Sequence, residues 1–122
     1  QRRKMALQSQ GRLIQTNIKI LKSFPKSEVS LVEATLLTGR THQARAHLAA
    51  LKAPVLGDLM YGPKRKGGWA TIMPFLWPFT PRQLLHARRL TIPHPKGGFK
   101  SFRAPWPEDF IALWRELKRL ES

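Results

Sequence analysis

A chain of 122 residues is long enough for one domain with a modest core, and an apolar content of 42% excludes a disordered tail. Lys and Arg number 22 against 7 Asp and Glu, a net charge of +15, and from Leu59 to Pro107 nine basic residues occur without an acidic one. Such a surface concentrates polyanions, and nucleic acid is the first partner to expect. The absence of cysteine excludes disulfides, thiol nucleophiles and thiolate metal sites, and no apolar run approaches the ~20 residues of a membrane span.

The basic opening QRRKMALQ lacks the apolar stretch of a signal peptide, so a cytoplasmic location is expected rather than secretion. RLIQTNIKIL alternates apolar and polar residues and predicts a strand, broken at Pro25. VSLVEATLL alternates again and predicts a second strand, antiparallel to the first. After Gly39, THQARAHLAALK has helical spacing, with Ala44, Leu48 and Leu51 on one face, and APVLGDLMYGP follows as a short extended piece. Pro63 to Pro81 is a long connection rich in Gly, Pro and aromatics, of a length that is often functional. LLHARRLTIPHP and FKSFRAP predict two strands joined by a KGG hairpin turn. PEDFIALWRELKRL has every local helix signal: Pro107 at the start, Glu108 and Asp109 in the first turn, Lys118 and Arg119 in the last, and a stripe of Phe110, Trp114 and Leu117. The pattern predicts an α+β fold with a mainly antiparallel sheet and flanking helices.

The helix after Gly39 has the wrong charges. Arg40, His42 and Arg45 surround its first turn, where unpaired N–H groups and the helix dipole are already positive, and no acid lies between Glu33 and Asp58. Each added cation costs a few tenths of a kcal/mol unless an anion is supplied, which backbone donors and arginine forks would hold together. The alternative is that these side chains reach solvent or pair with distant Glu33.

Other chemistry is weaker. His42 and His47 are five apart rather than four, and His86 and His94 have no nearby carboxylate, so all four are expected to pack or hydrogen-bond and no metal is expected. Asp58, between turn residues, could bond its own backbone, and Asp109 is a helix-start residue. No nucleophile emerges, which leaves a binding surface or part of an enzyme whose nucleophile lies elsewhere. Trp69, Phe75, Trp77 and Phe79 interleave with Lys64, Arg65, Lys66 and Arg82, an arrangement suited either to stacking on unpaired RNA bases or to a lid over the core.

The stretch LLTGRTHQARAHLAALKAPVLGDLMYG resembles the RluA-type RNA pseudouridine synthases, whose motif runs approximately E-T-G-R-T-H-Q-I-R-V-H-L…G-H-P-I-x-G-D-x-x-Y-G. RQLLHARRLTIPHPKGG and FRAPWPEDF resemble two later segments of that family, so the likeness runs from about Gly11 to Leu113. It implies a cofactor-free isomerase that converts uridine in RNA to pseudouridine, on an α+β fold around a mixed, mostly antiparallel sheet. In that family the nucleophilic aspartate and a base-stacking tyrosine lie upstream of the matched segment, and this sequence contains neither motif. The resemblance therefore implies that residues 1–122 are the C-terminal half of the catalytic domain, partnered by the N-terminal half and by RNA, either rRNA or tRNA.

The resemblance implies that Arg45 is the partner of a catalytic Asp outside this chain, while Arg40, Thr41, His42 and Gln43 shape the cleft rim. Leu85 would be an aliphatic wall against the uracil, and Lys64, Arg65, Lys66, Arg82 and Arg88 a basic RNA-binding surface. Departures are Ala44 and Ala46 for larger residues, LKAP in place of Gly-His-Pro, and a connection after Gly62 longer than the family's usual length. The rival reading is a non-catalytic RNA-binding module that retains the scaffold.

Overall fold

A computed structural model describes residues 2–9 and 12–122, with side chains from Leu13 onward. Strands β1 (Arg2–Ser9), β2 (Arg12–Phe24) and β3 (Val29–Leu36) form an antiparallel sheet in the order β1-β2-β3. β1 is not predicted by the sequence pattern; it pairs with β2 over its full length, from Arg2 opposite Lys19 to Ser9 opposite Arg12. Gln1, at the head of QRRKMALQ, and Gly11, where the resemblance begins, lie outside the described residues.

β2 is longer than its alternation implies. The β2–β3 register shifts between Ile20 and Lys22, so Leu21 is the extra residue of a bulge, a feature that bends a strand and increases its twist. Beyond the bulge Phe24 is only 1% exposed, and a 3-10 turn at Pro25–Ser27 returns the chain to β3.

Phe24 is the centre of the core. It packs with Leu76, Leu113 and Leu117, and the ring of Trp114 meets it edge-on at 5.4 Å. Burying each of these side chains contributes about 1.5–3 kcal/mol. Leu113 and Leu117 come from the C-terminal helix, Glu108–Glu121, whose charges complement its dipole as expected. Its buried line is Leu113–Leu117, with Phe110 and Trp114 partly exposed beside it, so the apolar stripe is rotated by about one residue from the expected one. Leu76 comes from the long connection, which is therefore part of the core rather than an external loop. That connection carries a short helix at Gly68–Ile72 and a 3-10 turn at Trp77–Phe79.

The first long helix, α1, spans Gln43–Ala50, and the two helices just described become α2 (Gly68–Ile72) and α3 (Glu108–Glu121). β4 (Arg89–Pro93) and β5 (Phe99–Arg103) form a separate antiparallel hairpin, turned at the predicted KGG. The α+β class stands, every described strand pairing is antiparallel, and the strands fall into two sheets rather than one. No helix among the described residues is long and apolar enough to cross a membrane.

α1 ends two residues earlier than its sequence spacing predicts, in a Schellman motif. Ala53 N–H donates to Leu48 O and Lys52 N–H to Ala49 O, both at 2.9 Å, while Lys52 takes φ 62°. That left-handed position favours glycine. Lys52→Gly is expected to stabilise the protein by about 1 kcal/mol, read as a higher urea midpoint with an unchanged m-value.

Candidate functional site

The start of α1 is held to β2 by one side chain. Gln43 Nε2 donates to Gln15 O (2.7 Å) and Thr16 Oγ1 (2.9 Å), while its Oε1 accepts from Thr38 Oγ1 (2.8 Å) and Arg40 N–H (3.0 Å). All four hydrogen-bonding positions of the amide are filled. Gln43, expected on the cleft rim, is thus buried at 4% exposure and ties the rim to the sheet. Ahead of it His42 sits in the left-handed region at φ 53°, a conformation more accessible to His than to most residues. The helix has no side-chain cap and no acid in its first turn.

Arg45 faces an anion within this chain, Asp58, which the sequence pattern does not pair with it. Its Nε donates to Asp58 Oδ2 at 2.7 Å and its Nη2 to Asp58 Oδ1 at 2.9 Å. Asp58 is fully buried and the Arg45 side chain is 14% exposed. The aspartate also bonds its own backbone, as expected: Oδ1 accepts Met60 N–H (2.9 Å) and Tyr61 N–H (3.0 Å). The hydrogen bond from Arg45 is the largest influence on this carboxyl and outweighs the opposing cost of burial. With the two backbone donors it holds Asp58 down at about 2. The same hydrogen bond raises the Arg45 guanidinium above its ordinary value.

The pair uses the side-on edge of the guanidinium. Of the five N–H donors, one on Nε and one on Nη2 are taken by Asp58, so the end-on fork of Nη1 and the second Nη2 hydrogen makes no hydrogen bond among the described residues. The ring of Tyr61 lies 5.3 Å from the guanidinium carbon and its hydroxyl is 3.4 Å from His42 Nδ1.

The turn around Asp58 is built by close backbone approach. Gly57 has φ 85°, and a Cβ there would lie 2.4 Å from Arg82 O; a Cβ at Gly62 would lie 2.1 Å from Asp58 O. Trp69, buried on α2, donates its indole N–H to that same Asp58 carbonyl at 2.9 Å. Leu84 N–H donates to Leu56 O at 2.9 Å, which brings the segment before the hairpin alongside this turn. Leu85 follows directly, 37% exposed.

Of the basic residues expected on an RNA surface, Lys64, Arg65 and Lys66 are exposed, with Lys64 Nζ reaching Met60 O. Arg82 is instead a clamp: it grips Asp109 through Nε (2.7 Å) and Nη2 (3.1 Å), its Nη1 donates to Gln83 O and Leu85 O, and Phe110 lies under it. Arg88 stacks over Trp106 and donates to Ala104 O. Arg82 is thus committed to a carboxylate and two carbonyls although it stays exposed, and Arg88 is half-buried with one of its donors on Ala104 O. Arg40 and Thr41 are exposed and, with Ile14 and Gly39, line an open groove of about 340 Å³. Among the aromatics of the connection, Trp69 is buried and Phe79 packs on the core, whereas Phe75 is 79% exposed.

His47 is buried as a packing residue and has no hydrogen-bond partner at Nδ1 among the described residues. No group of three or more His, Asp or Glu among the described residues is arranged to hold a metal ion. Three residues escaped the sequence reading: Asp58 as the partner of Arg45, Tyr61 beside it, and Trp69 as anchor of the turn. The signal available was the pair of glycines enclosing a lone aspartate, which marks a tight turn around a fixed carboxylate.

A family model described as RNA pseudouridylate synthase matches residues 1–50, which contain β1 to β3 and α1. An uncharacterized RNA pseudouridine synthase of Chloroflexus aurantiacus is 38% identical over 118 residues, covering 96% of this chain and 34% of that protein. The ribosomal large subunit pseudouridine synthase D of Neisseria meningitidis serogroup A is 38% identical over 92% of this chain and 29% of its own length. Its namesake in Pseudomonas aeruginosa is 36% identical over 98% of the chain and 38% of its length. The chain thus spans about a third of the length of the curated relatives it matches.

Removing one partner of the Arg45–Asp58 pair leaves an uncompensated charge with little access to water, a loss on the order of 3 kcal/mol. Asp58→Asn is therefore expected to destabilise the protein by about that amount at pH 7 in urea titrations. Because the folded Asp58 titrates near 2 rather than 3.8, the wild-type advantage is fully present above about pH 4 and lost as pH falls through about 2. The wild-type and D58N stability curves should converge over that window.

Proposed function

We propose that this chain is the C-terminal half of a catalytic domain that isomerises uridine to pseudouridine in RNA, a reading supported by its likeness to RNA pseudouridine synthases. The observation that carries this reading is the half-occupied arginine at the start of α1. Asp58 fixes Arg45 side-on, which leaves its end-on fork to receive a second carboxylate. The family's nucleophilic aspartate, from the upstream part of the protein, is the anion that fits. Paired with a guanidinium already locked in place, that aspartate would stay ionised and aimed at the reacting sugar or base. Asp58 is not itself the nucleophile: its four accepted hydrogen bonds and complete burial remove it from substrate.

Arg40, Thr41 and His42 then form the rim. Arg40 meets backbone phosphate, and the groove it lines beside Ile14 is open enough for a strand of RNA. Leu85 supplies an aliphatic wall for the uracil, which must leave its stack to reach the pocket. The relatives named for the ribosomal large subunit favour ribosomal RNA over tRNA as the substrate. The chain by itself supplies the arginine, the rim and the basic surface, and is not expected to turn over uridine alone.

In the full-length protein that contains this chain, tritium released from RNA labelled at C5 of uridine reports the reaction, since C5 becomes the glycosidic carbon. Arg45→Met is expected to lower that rate on the order of a hundredfold or more. Arg45→Lys keeps a charge but not the fork, and should show a comparable loss with a smaller change in Tm. Near-normal release by both variants would remove Arg45 from the mechanism.

A further inference from the structure

The β4–β5 hairpin carries a second charge mismatch, away from α1. Ala104 N–H donates to Arg88 O and His94 N–H to Gly98 O, both at 2.9 Å, so these are hydrogen-bonded positions of the ladder. By alternation Arg89 opposite Arg103, Thr91 opposite Ser101, and Pro93 opposite Phe99 are the non-hydrogen-bonded pairs, whose side chains share one face and approach most closely. Pro93, which has no N–H, falls at a position that needs none.

Two arginines directly opposite each other destabilise a hairpin. Neither Arg89 nor Arg103 forms an ion pair among the described residues, and both are exposed. Next along the same face the hydroxyls of Thr91 and Ser101 lie 2.7 Å apart, and beyond them Phe99 is 76% exposed. Cations, then hydroxyls, then an open aromatic face make a row of contacts for phosphate, ribose and base. Arg88, by contrast, is on the opposite parity and already spent on Trp106 and Ala104.

We infer that this hairpin face binds single-stranded RNA, with Arg89 and Arg103 bracketing a phosphate, Thr91 and Ser101 meeting ribose, and Phe99 stacking on an unpaired base. The inference rests on the RNA reading above, and it adds a contact surface that the α1 rim does not include. An anion between the arginines relieves their repulsion, and an exposed ring beside cations is sequence-tolerant toward bases.

Fluorescence anisotropy with a labelled, uridine-containing single-stranded RNA, measured on the full protein as a function of salt, tests it. The double variant R89A/R103A should reduce the slope of log affinity against log salt by about 0.7, the value for one phosphate contact in a single strand. Phe99→Ala should weaken binding about tenfold at fixed salt with the slope unchanged, and should leave binding of the corresponding duplex unaltered. R89A/R103A should keep or raise Tm, since it removes a repulsion. A lower Tm would make the pair structural and overturn the inference, as would unchanged slope and affinity in a protein that binds RNA. Failure of the wild-type protein to bind RNA would instead overturn the functional reading on which the inference stands.

Discussion

The buried carboxylate of Asp58 joins parts of the chain that share no regular secondary structure. Its oxygens take the guanidinium of α1 and two backbone donors of its own turn, and its carbonyl takes the indole of α2. A charge removed from water is costly unless every lone pair is engaged, and here the engagement is nearly complete. The consequence is that the helix start, the 55–62 turn and the long connection are tied to one another by an ion pair and hydrogen bonds, with Ala44, Val55 and Trp69 buried on those same segments. The hydrophobic core around Phe24 lies between β2, the connection and α3, and Leu56 of the turn packs against it.

What the sequence makes legible follows the range of the interactions involved. α3 is readable almost to the residue, because proline, acids, bases and an apolar stripe act within a few positions of each other. The β4–β5 turn is equally local, as are the alternating strands β2 and β3. β1 is not readable: its residues are largely basic and polar, and it becomes a strand through its neighbour rather than its own pattern. The extended stretch read through LLHARR is strand only from Arg89, and Leu84 before it is bonded to Leu56 of the Asp58 turn.

The site was half legible for a related reason. The misplaced cations around α1 call for an anion, and Asp58 stands thirteen residues from Arg45, beyond the reach of local pattern. Gln43 looked like a rim residue since nothing in its neighbours announces a four-bond latch to β2. Arg82 is exposed and also pairs with Asp109, a partner 27 residues away that the local pattern explains as a helix-start residue. In a chain of net charge +15 a few acids are shared among many arginines, and which arginine gains one is decided by tertiary contact. Among the described residues, exposed basic side chains without an ion pair include Arg40, residues 64–66 and, in the hairpin, Arg89, Lys100 and Arg103.

The hydrogen bond from Trp69 to the Asp58 carbonyl makes the connection and the arginine pair a single cooperative unit. Any excursion that frees residues 63–81 must break the indole bond and loosen the turn that presents the carboxylate. The free energy of opening this segment is therefore linked to the order of the guanidinium, and by reciprocity whatever fixes the guanidinium protects the segment against opening. A ligand engaging Arg45 would thus slow hydrogen exchange at an indole that it never touches.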